Sequence, residues 1–282
     1  MFLLICLLSG LLIAVQGVSY KLVPTLKCDS DQFRLILIWA GAVLAVVGVA
    51  VHHEALSNSV ILLGSAAAGV CYFIALLTIM KAMATGPVSF TWVLANLSIG
   101  VPILLSAVIW SERIRDFQWL GIAFFIVSLV LFGKDLQRGA SKSVSVKWIL
   151  AAGGMFLANG SFLLCFKVIN KYASVPHTFS TLLTAYVTCG ILLLAYSWKR
   201  LAVPRSGEIK VGLMAAAGMM GGQALIIKAL AINTASSLPI IHSASIIGVT
   251  VASAILFGER LSKYSGSGLL AGLVAIVLLT MG

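Results

Sequence analysis

The sequence predicts an all-α integral membrane protein, a bundle of ten transmembrane helices in two inverted five-helix repeats. Three observations carry this. First, the 282 residues are 61% hydrophobic and 10% charged, with a mean hydropathy of +1.11. Ordinary soluble domains carry roughly 25% charged residues, so there is too little charge here to cover a water-facing surface. Second, the apolar runs are about 20 residues long and do not alternate in polarity, which fits spanning helices and not barrel strands. Third, the chain repeats itself. Ser106-Ala107-Val108-Ile109-Trp110-Ser111-Glu112-Arg113 recurs as Ser253-Ala254-Ile255-Leu256-Phe257-Gly258-Glu259-Arg260, 147 residues later. The register holds without a gap from Met80/Ile227 to Leu131/Leu278, with 14 identities in 52 positions. Such duplication in an apolar chain points to a transport protein made of two halves.

Charges and turn residues divide the chain into runs at 2–20, 34–52, 59–83, 88–110, 117–133, 148–169, 178–198, 209–232, 236–257 and 265–281. The first run is apolar from its start, with no basic segment ahead of it and no clear cleavage site. It reads as a spanning helix and not as a removed signal peptide. The third and eighth runs are crowded with small residues, Gly64 to Gly69 and Ala215 to Gly222. Small residues let backbones approach in lipid, so these two runs are expected deep in the bundle, although small residues are also common in spanning helices. The tenth run carries Gly268-x3-Gly272. The longest connection, Gly133 to Lys147, is polar and basic. It separates a first repeat at 1–135 from a second at 148–282, with 136–147 as linker. Because each half has five helices, equivalent helices run in opposite directions, and the halves are related by a pseudo-two-fold axis in the membrane plane.

The net charge of +11 does not indicate nucleic-acid binding, because the 19 Lys and Arg are scattered at the ends of apolar runs. Lys21, Lys81, Lys167 and Lys228 lie near helix ends, where snorkelling to headgroups explains them. Lys81 and Lys228 share a register position and are alternatively placed to attract an anionic solute. Fourteen of the 19 basic residues fall on the face opposite both termini. The positive-inside rule puts that face in the cytoplasm and the termini outside. Trp110, Trp119, Trp148 and Trp198 sit at run ends and read as interface belts. The five cysteines show no Cys-x-x-Cys and four lie within apolar runs, so packing is expected of them, not a disulfide frame or metal site.

At this point the chain resembles the drug/metabolite transporter superfamily in its ten-helix EamA-like form. The carrying residues are Glu112-Arg113 and Glu259-Arg260, each followed by a glycine in the next helix (Gly121, Gly268) and preceded by Lys81-Ala82-Met83-Ala84 or Lys228-Ala229-Leu230-Ala231. The resemblance implies a central cavity lined by the first, third, fourth, sixth, eighth and ninth helices. It implies alternating access for a small metabolite or toxic compound, often outward, across a bacterial cytoplasmic membrane. It also implies both termini in the cytoplasm, against the Lys/Arg count. The chain departs from the family pattern at Pro102, whose aligned position is Val249, and at Gln16-Gly17, where Trp-Gly is usual.

None of the eight acidic residues lies near the middle of a run. Carriers coupled to protons or sodium often use such a carboxylate, so a carboxylate relay is disfavoured, and a neutral, zwitterionic or anionic solute fits better than a strongly cationic one. Glu112 and Glu259 close their helices beside an arginine, as solvated helix ends or as gate latches. His242 is the histidine inside a span. It follows Pro239 by one turn, near Ser243, Ser245 and Thr250. In register, Asn96 pairs with Ser243 and Ser98 with Ser245. Two related helices therefore offer polar groups at equivalent depth, as a midplane site between repeats requires. His242 is expected either to line a cavity, where it can bind solute or carry a coupling proton, or to be bonded within the bundle. Gln16, Asn159 and Gln223 lie in the first, sixth and eighth runs, and an amide in lipid must pair across helices or face a wet cavity. Tyr72 and Trp92 are candidate aromatic walls.

The expected partners are a small-molecule solute and the lipid bilayer. No nucleic acid, metal or cofactor is expected, and one chain supplies both halves, so a monomer satisfies the architecture. The competing classes are a membrane enzyme and a channel or scaffold. The chain shows no His-Glu-x-x-His, Gly-x-Ser-x-Gly or phosphate-binding glycine loop. The nearest metal-like feature, His52-His53-Glu54, has its two histidines on different helical faces.

Overall fold

The computed structural model describes residues 2–54, 59–111, 115–138, 145–172, 178–232, 234–258 and 262–281. Within them, 106–107, 132–133, 135–138, 226–232, 234–239 and 280 are described as backbone alone. The described chain is helical throughout. The helices are α1 (Phe2–Thr25), α2 (Ser30–His52), α3 (Ser59–Thr85), α4 (Val88–Leu97), α5 (Gly100–Trp110), α6 (Asp116–Arg138), α7 (Val146–Tyr172), α8 (Thr178–Ser197), α9 (Ser206–Ile232), α10 (Thr234–Phe257) and α11 (Lys263–Thr280). Seven of them, with Val88–Trp110 taken as one, are long and apolar enough to cross a bilayer over their described residues. Asp116–Leu131 and Lys263–Leu279 are shorter apolar helices. Each expected run is helical, most of them longer than the hydropathy pattern indicates, and the run at 88–110 is broken into α4 and α5.

Hydrogen bonds explain several of those ends. Asp29 caps α2, its carboxylate accepting from the backbone N–H groups of Asp31 and Gln32 at 2.7 and 3.0 Å. Ser262 caps α11 in the same way. At the start of α9, Glu208 reaches back to the backbone N–H of Arg205, a capping-box arrangement. Its other oxygen accepts from the backbone N–H of Asp29 at 3.0 Å, tying the α1–α2 turn to α9.

The packing interleaves the two halves and respects their exchange. α3 packs on α7 as α9 packs on α1, and α3 packs on α8 as α9 packs on α2. α1 meets α10 as α5 meets α7, while α2–α8, α4–α10 and α6–α11 pair each helix with its own counterpart. α4 and α10 run antiparallel, joined from Ser89–Ser253 (2.7 Å) to Asn96–His242 (2.8 Å). The α2–α8 pair is held at both ends. Glu54 accepts from the backbone N–H and hydroxyl of Ser180 at 2.8 and 3.1 Å, placing a carboxylate at the N-terminus of α8. At the other end Arg200 approaches Asp31 at 3.8 Å, and Asp31 also pairs with Arg34. His52 stacks on Phe179 with ring centroids 5.0 Å apart.

The small residues serve close approach, as expected. A Cβ at Gly69 would meet the Ala185 carbonyl at 2.5 Å, and one at Gly218 would meet the Leu12 carbonyl at 2.6 Å. The most enclosed helix is nevertheless α4, every residue of which is buried. It packs against α10, α11, α7, α3 and α1 at once, whereas α3 and α9 each leave one flank to lipid. Trp148 departs from the belt expectation. It is 6% exposed, lies 5.3 Å from Phe90, and its indole N–H donates to Thr91 at 3.4 Å. The start of α7 lies against α4, so this indole faces protein. Trp119 and Trp198 are exposed as expected, and Lys171 covers the Trp110 ring at 4.5 Å. All five cysteines are free thiols.

Candidate functional site

The middle of the bundle is built around the pseudo-two-fold. Tyr72 in α3 and Met219 in α9 are 147 residues apart, which is the register of the repeat, and they touch: the Tyr72 hydroxyl donates to the Met219 sulfur at 3.3 Å. Each lies at the centre of its helix. Gln16 of α1 donates through Nε2 to the Tyr20 hydroxyl at 2.6 Å and to the Tyr72 hydroxyl at 3.3 Å. The Tyr72 ring stacks on Phe162 of α7 at 5.0 Å, and Tyr186 of α8 lies 5.9 Å away. Five helices thus converge on one tyrosine.

The second part of the site joins α4 to α10. The amide nitrogen of Asn96 donates to the Trp92 carbonyl at 2.8 Å, which turns the amide oxygen towards His242 Nδ1, also 2.8 Å away. An amide oxygen only accepts, so Nδ1 carries the hydrogen and Nε2 keeps its lone pair. His242 as a whole is half-buried. One turn before Asn96, the Trp92 indole N–H donates to Ser245 at 2.9 Å. The Trp92 ring lies against Gly17 of α1, where a Cβ would come within 2.9 Å of both the ring and Val249. Gly17 therefore lets the ring lie between α1 and α10. Tyr20 meets the same ring edge-on at 6.4 Å.

The third part is the break between α4 and α5, and its cause is Pro102. Proline has no N–H for the Ser98 carbonyl and its ring clashes there. The chain tightens to Ile99 N–H on Asn96 O (3.4 Å) and Val101 N–H on Ser98 O (3.0 Å). This leaves the Ala95 carbonyl without its helical donor. The Ser98 hydroxyl (2.6 Å) and Asn159 Nδ2 of α7 (3.1 Å) take it, and Asn159 also bonds Ser98 at 2.7 Å. The aligned stretch of α10, with Val249, continues as helix. The departure seen in the sequence at Pro102 is thus an irregular backbone at mid-membrane, satisfied by protein groups.

The sequence candidates divide accordingly. Gln16, Tyr72, Trp92, Asn96, His242 and Ser245 come together around the middle of the bundle. Asn159 holds the broken helix beside them. Gln223 and Ser243 are half-buried and stand outside this bonded group. Ser98 and Ser245, paired in register, turn to different partners. Tyr20, Gly17, Phe162, Tyr186 and Met219 were not foreseen; of these, Met219 was signalled by its register to Tyr72. Lys21 is not a headgroup anchor: its amine donates to the Met83 carbonyl at 2.8 Å. Glu112, Arg113, Glu259 and Arg260 lie outside the described residues, as do the side chains of Lys228 and Pro239.

A membrane bundle of interleaved halves, with a broken helix and polar groups on the axis between them, has the architecture of a membrane transport protein. The EamA-like transporter family model matches residues 146–281, so the second half is recognised directly and the first joins it through the duplication. The second half is therefore similar to the EamA-like transporter family of the drug/metabolite transporter superfamily, whose members carry small solutes. A solved structure titled only "Crystal structure of protein" is similar over 96% of this chain and 98% of its own, with a TM-score of 0.60 and 12% identity. It supports the fold alone. No curated protein matches the chain in sequence.

The break gives a direct expectation. Pro102→Ala restores the missing N–H and removes the clash, which together favour the continuous helix by up to about 3 kcal/mol. The Ala95 carbonyl then takes its helical donor and Asn159 loses an acceptor. Thermal stability is expected to hold or rise while transport falls; transport unchanged from the natural chain would show that the break is incidental.

Proposed function

We propose that the protein is a secondary active carrier that moves a neutral, zwitterionic or anionic organic solute by alternating access, outward across the cytoplasmic membrane. The supporting observation is the Asn96–His242 bond, 2.8 Å long, which joins the broken span to its repeat counterpart on the axis relating the halves. A group on that axis keeps its depth when the halves exchange conformations, so each face can reach it in turn. The groups gathered there are amide, hydroxyl, imidazole and aromatic. Among the described residues no carboxylate bonds to them, so a strongly cationic solute would find no counter-ion. The aromatic faces of Tyr72, Trp92 and Tyr20 suit a solute with an apolar body, and the His242 Nε2 lone pair suits a donor on it. The same nitrogen is where a coupling proton would sit.

Reconstitution tests this. Purified protein in ATP-free liposomes is expected to move a tracer from a panel of amino acids, sugars, nucleosides and organic acids, and the transported compound is expected to raise the melting temperature. An imposed pH gradient is expected to drive accumulation by the natural chain and not by His242→Gln. Neither transport nor ligand stabilisation across the panel would overturn the carrier reading. Transport indifferent to the gradient would remove the proton.

A further inference from the structure

The observation is at Lys21. Its amine donates to the Met83 carbonyl at 2.8 Å and reaches the Gly86 carbonyl at 3.5 Å. The sequence explains why the Met83 carbonyl is open to it. Met83 would be served by the N–H of residue 87, which is Pro87 and has none. The Thr85 hydroxyl serves the Lys81 and Ala82 carbonyls, so the Met83 carbonyl is the one left at the negative end of the helix dipole, and a lysine of α1 takes it. The bond lies on the face opposite the termini, and other ties continue from there towards the middle of the bundle. Gln16 joins Tyr72 across the same α1–α3 contact. Trp92 lies against Gly17 between α1 and α4, and Ser89 joins Ser253 between α4 and α10. On this face the bundle is drawn together by α1.

The repeat supplies the counterpart. Lys21 and Lys167 are 146 residues apart, on α1 and its equivalent α7. In the 147-residue register, Met83 corresponds to Leu230, in the last turn of α9 on the opposite face, and Gly86 to Asn233, which lies outside the described residues. Inverted repeats exchange conformations when access alternates. We infer that Lys21 and Lys167 are a pair of latches, one at each mouth: Lys21 on the α3 carbonyls favours closure of the face opposite the termini, and Lys167 on the α9 carbonyls favours closure of the other. This rests on the alternating-access reading and adds the groups that set its balance. Both lysines are positioning residues; neither need touch the solute.

The test reads sidedness directly. Ser89→Cys places a thiol where the Ser89 hydroxyl meets Ser253, at a residue 5% exposed, and serves as the common background for all the variants. Its reaction with a membrane-impermeant maleimide, applied from the face opposite the termini, is followed by mass spectrometry of the peptide carrying residue 89, so the native cysteines stay in place. Lys21→Met is expected to raise the labelling rate about fivefold or more. Lys21→Arg, which keeps the charge and donors, is expected to leave it within about twofold. Lys167→Met is expected to lower the rate, because it weakens closure at the other mouth. Opposite signs are the signature, since general loosening would raise labelling in both variants. Equal or same-direction changes, or no response to Lys21→Met, would overturn the latch. Solute flux is measured on the same vesicles. Flux without the opposite shifts defeats the latch and leaves the carrier, whereas opposite shifts without flux for any solute defeat the carrier reading and leave a two-state bundle.

Discussion

Asn96→Ala is expected to cut solute transport at least tenfold while leaving the folded protein nearly as stable. The magnitudes separate the two effects. Hydrogen bonds between membrane helices contribute about 0.6 kcal/mol on average and up to about 1.7, so one lost bond barely moves the unfolding equilibrium. For the solute the change is larger. Asn96 fixes the His242 tautomer and ring, and without it Nε2 no longer presents a lone pair at a set place. Loss of one well-placed interaction of about 1.4 kcal/mol in the bound state is a factor of ten. Paired measurements of melting temperature and initial rate, on Asn96→Ala, His242→Ala and the double variant, check this. The double variant is expected to be no worse than His242→Ala in transport, because the two residues act as one unit. Independent, multiplying losses would show that they do not.

Gly10→Ala is expected to be among the most destabilising single methyl additions to the chain's interior. The new Cβ would sit 2.5 Å from the Ile241 carbonyl oxygen, 2.6 Å from the Ala244 Cβ and 3.0 Å from the Ser245 nitrogen. None of these is the end of a flexible side chain, so α1 must move off α10. Overpacking of this kind costs about 1–3 kcal/mol, and the displaced segment carries His242 and Ser245. Both thermal stability and transport are expected to fall. Gly153→Ala is the control, since a Cβ there meets nothing within 4 Å. In a helix that change is expected to be neutral or to stabilise by up to about 1 kcal/mol. If the two variants melted alike, the α1–α10 contact would not be as close as described.

Much of the site was legible because duplication converts sequence distance into spatial equivalence. The register placed Asn96 opposite Ser243, and the structure bonds Asn96 to the adjacent His242. Carried back beyond Met80, the same spacing aligns Tyr72 with Met219, a match outside the stretch the sequence comparison covers and at a residue type that does not read as a site residue. Pro102 was visible as a departure from symmetry, and the missing donor for the Ser98 carbonyl follows from proline chemistry; the shift of the Ile99 N–H that orphans the Ala95 carbonyl does not. The identity of the side chain that satisfies that carbonyl does not: Asn159 lies 64 residues away on α7, and no local rule connects them. Trp148 read as a belt residue because hydropathy sees only its place at a run end. Lys21 read as an anchor for the same reason.

The amino-acid sequence by itself determined the membrane class, the helical spans, the duplication and the inverted relation of the halves. These depend on composition, run length and parity, which are one-dimensional properties. Only the tertiary structure decided which helix lies innermost, which face of each helix turns inward and which polar groups meet. Those outcomes depend on contacts between residues distant in the chain, where in lipid the hydrophobic effect gives little direction and close packing and hydrogen bonding choose the partners.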